Sequence, residues 1–245
     1  MPFPKIVRKY RYRQERTLYR KRLLLPVPTV PIDEQPLMVS ELEPTVETRA
    51  FRWSEQLDSL MQTAENQIRL LADHLIVQSN RRTKAIGFKS VFSGDGCSTI
   101  LLCAVRALTE RHYRILLVDA HHRHIDLPKQ LSVPGNLDTG NEVISLNDHL
   151  DLWVWQEMKT VEENRRTLAE ILSVHRSEYD LILLDNGSVT ESPLAELTEF
   201  WNQIELDGII LVSNTKRPSG VPISHIAGRL RQHHIHVIGI TENYV

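Results

Sequence analysis

From Phe51 onward the hydrophobic positions follow two periods. Leu57, Leu60, Met61, Ala64, Ile68, Leu71, Leu75 and Ile76 recur at spacings of three and four, which predicts one amphipathic helix over 53–79, ended near Ser79-Asn80. Its apolar stripe needs cover, from the rest of the chain or from a second copy. Beyond it, short apolar runs alternate with helical patterns. Strands are predicted at 85–92, 114–118, 152–155, 181–184, 208–212 and 237–240, and helices at 98–111, 161–175, 193–202 and 222–233. Strands that are apolar throughout are buried on both faces, so the pattern predicts an α/β fold with a mainly parallel sheet between helices. Trp153 and Trp155 alternate around Val154 and are expected to face the core together.

The first 50 residues break this pattern. Residues 1–22 hold nine Lys or Arg and one acid, Glu15, a net charge of +8 within a chain of −2. Residues 23–48 carry Pro26, Pro28, Pro31, Pro36 and Pro44 among acids such as Asp33, Glu34, Glu41, Glu43 and Glu47, a composition that reads as linker. The expected division is a disordered arm and linker at 1–50 and one folded domain at 51–245. Tyr10, Tyr12 and Tyr19 interleave with the basic residues, which suits an anionic membrane surface or an acidic partner and, less well, nucleic acid. Such an Arg-rich, acid-poor start also imitates an organellar transit peptide.

Composition narrows the class further. With 41% hydrophobic residues and 22 Gly plus Pro in 245, the chain is neither collagen-like nor wholly disordered. No aliphatic run approaches the roughly 20 residues of a membrane span. The two cysteines, Cys97 and Cys103, lie on different faces if both are on one helix, so no disulfide is expected and a reducing cytosol is the natural setting. Two clusters, His121/His122/His124 and His233/His234/His236, read H-H-x-H. Without a cysteine beside them they are taken as solvated residues rather than zinc ligands.

The chemistry concentrates after the first predicted strand. Val91-Phe92-Ser93-Gly94-Asp95-Gly96-Cys97-Ser98-Thr99 places a small-residue turn before a helix, where backbone N–H groups converge on an anion. Against G-x-x-x-x-G-K-[ST], the pattern of a phosphate loop, Val91 stands for the first Gly and Cys97 for the Lys, while Ser98 keeps the hydroxyl that would reach Mg²⁺. Asp119 ends the second predicted strand and Asp185 a later one. Ligands of open α/β sheets bind beyond the carboxyl ends of strands, so Gly96, Asp119 and Asp185 are expected to face one crevice.

These stretches resemble the bacterial tyrosine kinases of capsule and exopolysaccharide synthesis, grouped with the cell-division and partitioning ATPases of the deviant P-loop class. Phe92 to Thr99 is similar to the family's S-x-P-G-E-G-K-S-T. Leu116-Leu-Val-Asp119-Ala120-His121-His122-Arg123 is similar to L-L-I-D-A-D-x-R, and Tyr179-Asp180-Leu-Ile-Leu-Leu-Asp185-Asn186-Gly187-Ser188 to Y-D-x-x-x-x-D-T-P-P. Asp207-Gly208 opens a strand similar to the later D-G-x-x-L-V.

The resemblance implies a P-loop NTPase-like three-layer sandwich that binds ATP with Mg²⁺. Gly94, Asp95, Gly96, Cys97, Ser98 and Thr99 would surround the phosphates. Ser98, Asp119 and Asp185 would face the metal, and Asp119 and Asp185 would be the catalytic candidates.

Departures from the family change the expectation. Cys97 replaces the loop lysine, Phe92 takes the place of the second lysine of the partitioning ATPases, and His121 replaces an acid. The chain shows no tyrosine cluster after its last predicted strand, and the family's E-x-x-R-x-x-R pattern is not recognisable in the helix at 53–79.

ATP binding is therefore expected to be weak or absent and hydrolysis impaired, in a cytoplasmic binding or regulatory component of polysaccharide synthesis or export. Residues 1–22 would meet the membrane surface or a membrane chain-length regulator, and the helix at 53–79 would serve any homo-oligomer. Two alternatives stand beside this reading. One is an active ATPase or tyrosine kinase using a displaced cation, with Lys84, Lys89 and Arg123 as candidates. The other is a partitioning-type protein held to DNA or membrane by its arm. Cys97, at a helix N-terminus, also has the setting of a thiol with a lowered pKa.

Overall fold

The computed structural model describes residues 51–81, 83–120, 127–133, 143–154, 161–191, 201, 204–217 and 222–244. All lie in one compact unit, Pro44–Val245. The basic arm and its linker, His121, His122, Arg123, His124, Trp155 and most of the helix expected at 193–202 lie outside the described residues.

A seven-stranded sheet organises the unit. Its strands are β1 (Ala85–Ser90), β2 (Ile115–Asp119), β3 (Val143–Asn147), β4 (Leu150–Val154), β5 (Leu181–Ser188), β6 (Gly208–Asn214) and β7 (Val237–Asn243). Their order is β3-β4-β2-β5-β1-β6-β7. Every pairing is parallel except β3 with β4. All residues of β1 and β2 are buried, as the continuous apolar runs require of strands covered on both faces. β3 was not anticipated. Its buried Ile144 and Leu146 alternate with half-buried Val143, Ser145 and Asn147, the period of an antiparallel edge strand with one wet face.

The helix expected over 53–79 is two helices, α1 (Glu55–Thr63) and α2 (Glu65–Asn80). The break falls at Ala64 (φ −117°, ψ 24°), yet its N–H still donates to the Leu60 carbonyl and its own carbonyl accepts from Ile68 N–H. Neither Pro nor Gly marks the spot, and the apolar spacing runs straight through. Both helices pack on α3 (Cys97–Thr109): Leu57, Ile68, Ala72 and Leu75 share one core with Leu101, Leu102, Val105 and Leu108. The stripe is thus covered by the same chain. Ser54 caps α1 by accepting from Leu57 N–H at 3.3 Å.

The opposite face of the sheet carries α5 (Val161–His175), whose Leu168 and Leu172 meet Leu116, Val118, Trp153, Ile182 and Leu184. Trp153 is fully buried there, as expected. Towards the β7 edge, α6 (Ile223–Gln232) sets Ala227 and Leu230 on Ile209, Leu211 and Val237. A short turn of helix, α4 (Leu127–Gln130), lies between β2 and β3. No helix among the described residues is long and apolar enough to cross a membrane.

Candidate functional site

Parallel strands end together, and that brings the predicted acids side by side. Asp119 and Asp185 are direct partners across β2 and β5, and Asp185 is also in register with Phe88 of β1. Two residues after Phe88, β1 ends at Ser90 and the chain enters the loop. Gly94 (φ +83°) and Gly96 (φ +86°) turn it through the left-handed region that glycine adopts without strain. Gly96 is the N-cap of α3 and makes no side-chain cap bond. The first turn of this 13-residue helix thus presents backbone amides, and the positive end of its dipole, at the loop after β1.

Cys97 opens α3 and is buried. Burial pushes its thiol well above the ordinary 9; Asp185 and Asp95 add to that, and Lys89 opposes them. The shift runs opposite to the expected lowering, because burial is its largest cause and Asp185 and Asp95 act in the same direction. Cys97 and Asp185 are thus within electrostatic reach of one another. Asp119 is 1% exposed and accepts from Leu127 N–H at 3.0 Å, so it also anchors the chain returning into α4.

Other acids in the motifs work at the opposite end of the sheet. Asp180 accepts from Arg114 N–H, and Asp207 accepts from the amides of Lys84 and Ala85. Both tie down the starts of neighbouring strands. Lys84, a candidate stand-in cation, is committed there too, its Nζ donating to the carbonyls of Arg176 and Tyr179. Lys89 is nearer the loop, but it is buried and donates to the Asn186 carbonyl at 2.7 Å.

Among the described residues, Arg217, in the turn after β6, brings a cation into contact with the loop. Its Nη1 donates to the Ser93 carbonyl at 2.8 Å and lies 3.5 Å from Asp95 Oδ1, and its guanidinium sits 5.5 Å from the Phe92 ring centroid. Asp95 is 1% exposed, and its Oδ2 accepts from Phe92 N–H at 2.9 Å. From β7, Asn243 Nδ2 donates to the Asp95 carbonyl at 3.0 Å. Sequence reasoning missed Arg217 and Asn243. They are far from the loop in the chain, but both follow apolar runs at strand carboxyl ends, where the crevice rule points.

A cavity of about 200 Å³ opens beside the loop, lined among others by Phe92, Asp95, Asn214, Arg217 and Glu242. A second, of about 360 Å³, is lined among others by Ser54, Thr99 and Lys129. The amides and hydroxyls at 94–99 suit phosphate, and the Ser98, Asp119 and Asp185 oxygens suit Mg²⁺, which takes one or two carboxylates and fills its shell with water and phosphate. Among the described residues no three His, Cys, Asp or Glu side chains gather as a metal site. His233 ends α6, and His236 Nδ1 lies 3.0 Å from the Asp207 carbonyl. Both cysteines are free thiols.

No protein-family model and no curated protein sequence matches the chain. Solved structures do match in fold. The chimerical protein CapA2B2 superposes with a TM-score of 0.64 at 14% identity, over 80% of this chain and 93% of that one. The kinase domain of the Escherichia coli tyrosine kinase ETK gives 0.63 at 13%, over 82% and 91%. The tyrosine kinase domain of BceF gives 0.60 at 18%, over 80% and 91%. At such identities the likeness is one of fold. The chain has the three-layer fold of these kinase domains, with its mainly parallel sheet.

Proposed function

We propose that this chain is a phosphate-loop protein that binds a nucleotide with Mg²⁺ weakly and acts as a binding or regulatory component of polysaccharide synthesis or export, without efficient phosphoryl transfer. The observation that carries the reading is the uncapped N-terminus of α3 beneath Gly96, facing Asp185, with Asp119 as its partner in the sheet. The amides of 94–98 would hold phosphate oxygens, with Ser98 and Thr99 hydroxyls beside them. Ser98, Asp119 and Asp185 would hold the metal, which supplies charge neutralisation between phosphates.

Charge argues for the weakness. A lysine at position 97 would put a cation about 4 Å from a phosphate oxygen, worth roughly 4 kcal/mol at an effective dielectric of 20 before its own desolvation. The thiol there is neutral and buried, and the charges acting on it are two acids, Asp185 and Asp95, against one cation, Lys89. A missing cation at the transferred group costs on the order of 10³–10⁵ in rate. The exopolysaccharide setting rests on the likeness of fold and of motif. Contact of residues 1–22 with an anionic membrane surface or a membrane chain-length regulator rests on their charge of +8, and any homo-oligomer would use the solvent side of α1 and α2.

Titration of the purified full chain with a fluorescent ATP analogue and Mg²⁺ tests the reading. Saturable binding is expected, abolished by Asp185→Asn and strengthened about tenfold by Cys97→Lys, the direction that Coulomb attraction requires. No saturable binding by either the natural chain or Cys97→Lys overturns it. Sustained turnover lost in Asp185→Asn would replace it with an active ATPase or kinase.

A further inference from the structure

We infer that Arg217 is the positioning residue of the phosphate loop, holding Ser93 and Asp95 from outside so that Gly94 and Gly96 keep the conformation that aims their neighbouring amides inward. The part of this inference that concerns an anion rests on the function proposed above. The part that concerns the loop stands on contacts alone.

Three features converge. The guanidinium reaches the loop at two consecutive points, the Ser93 carbonyl and the Asp95 carboxylate, on either side of the left-handed Gly94. Its central carbon lies over the Phe92 ring, 5.5 Å from the centroid, where an aromatic ring offers a cation a platform. The carboxylate it meets is itself built into the loop through Phe92 N–H, while Asn243 holds the carbonyl of the same residue. Asp95 is thus gripped from the turn after β6 and from β7.

Charge gives this grip a second effect. Asp95 is a buried carboxylate within a loop shaped for an anion, and no lysine at position 97 offsets it. Arg217 is the cation in contact with it. Arginine suits the place better than lysine, because its rigid planar fork fixes the direction of Nη1 while the same guanidinium sits over a ring. Nη1 makes both loop contacts, and the side chain is about half exposed at the rim of the 200 Å³ cavity. A positive charge absent from the loop's own sequence is therefore brought in from the turn after β6, the strand next to β1.

The test compares the full-length chain with Arg217→Ala, Arg217→Lys and Arg217→Gln by hydrogen exchange without nucleotide, then by titration with Mg²⁺ and the fluorescent ATP analogue. Arg217 is exposed enough that its loss leaves the rest of the fold in place, so amides of β1, β5 and α3 serve as internal controls. Exchange at 92–96 is expected to quicken at least tenfold in Arg217→Ala with those controls unchanged. Analogue affinity is expected to fall at least tenfold in Arg217→Ala and Arg217→Gln. Arg217→Lys is expected to recover part of it, because lysine keeps the charge and loses the fork.

Unchanged loop exchange in Arg217→Ala overturns the inference whatever the nucleotide does. Equal affinity in the lysine and glutamine variants overturns its charge component. Absence of saturable binding in both the natural chain and Cys97→Lys, while Arg217→Ala still loosens the loop, removes the proposed function and leaves the positioning role standing.

Discussion

Gly96 shows how a single backbone angle shapes the candidate site. Its φ of +86° lies in the left-handed region, and a Cβ built there would run into Asn243 Nδ2. Gly96→Ala is therefore expected to cost about 1–3 kcal/mol from backbone strain alone, and more if Asn243 cannot move. Urea denaturation of Gly96→Ala and of Gly96→Ala/Asn243→Ala measures both parts. Read against Asn243→Ala, which alone loses the bond to the Asp95 carbonyl, the double variant should show the strain without the steric share, and no added loss would mean that the angle is not strained. Gly94 differs, for it is left-handed with open space around it, so only the conformational cost applies there.

At the scale of elements, the packing of α2 on α3 separates what the apolar stripe does from what it leaves exposed. Leu75 is fully buried in the core shared with α3, whereas Leu70 is 59% exposed on the other side of the same helix. Leu75→Ala is expected to lose about 2–5 kcal/mol through the cavity it leaves. Leu70→Ser is expected to stay within about 0.5 kcal/mol. Chemical denaturation decides, and a large effect at Leu70 would show that its exposed face is covered in solution. Val77 lies on the same outer side. The break at Ala64 lets α1 turn its Leu57 into that core while Asp58 pairs with Arg106 of α3.

For the whole molecule, buried thiols couple folding to alkaline pH. Cys103 is pushed up from the ordinary 9 to about 11 by burial, with Arg106 opposing, and Cys97 is raised by burial and the acids near it. The unfolded chain releases these protons first, so between pH 9 and 11 it binds fewer protons than the folded one. Stability is then full below about pH 9 and falls as pH rises through the folded values. Tyr179 is shifted the same way by burial and by its hydrogen bond to Asp151. Thermal unfolding followed from pH 7 to 11 should show Tm dropping above pH 9, and Cys103→Ala should shallow the drop. At pH 8 neither thiol should react with a disulfide reagent until the protein unfolds; rapid native reaction would contradict the burial of both.

Much of the α/β alternation was legible because covered parallel strands must be apolar throughout, as at 85–90 and 115–119, and because helices such as 161–175 repeat at three and four. The loop was legible as well, since Gly94 and Gly96 are needed wherever backbone amides turn inward. Sequence could not show the break at Ala64, where the period continues unbroken, nor β3, whose five residues alternate too briefly to stand out. Charge was only partly legible. Lys84 is close to the loop in the chain, yet its ammonium group donates to carbonyls at the opposite end of the sheet; Lys89 donates to the Asn186 carbonyl, next to Asp185, and acts on Cys97, while Arg217 and Asn243 arrive from distant strands. Periodicity records which side of an element is dry. Which side chains meet at the ends of strands depends on strand order and register, and those are settled only when the sheet assembles.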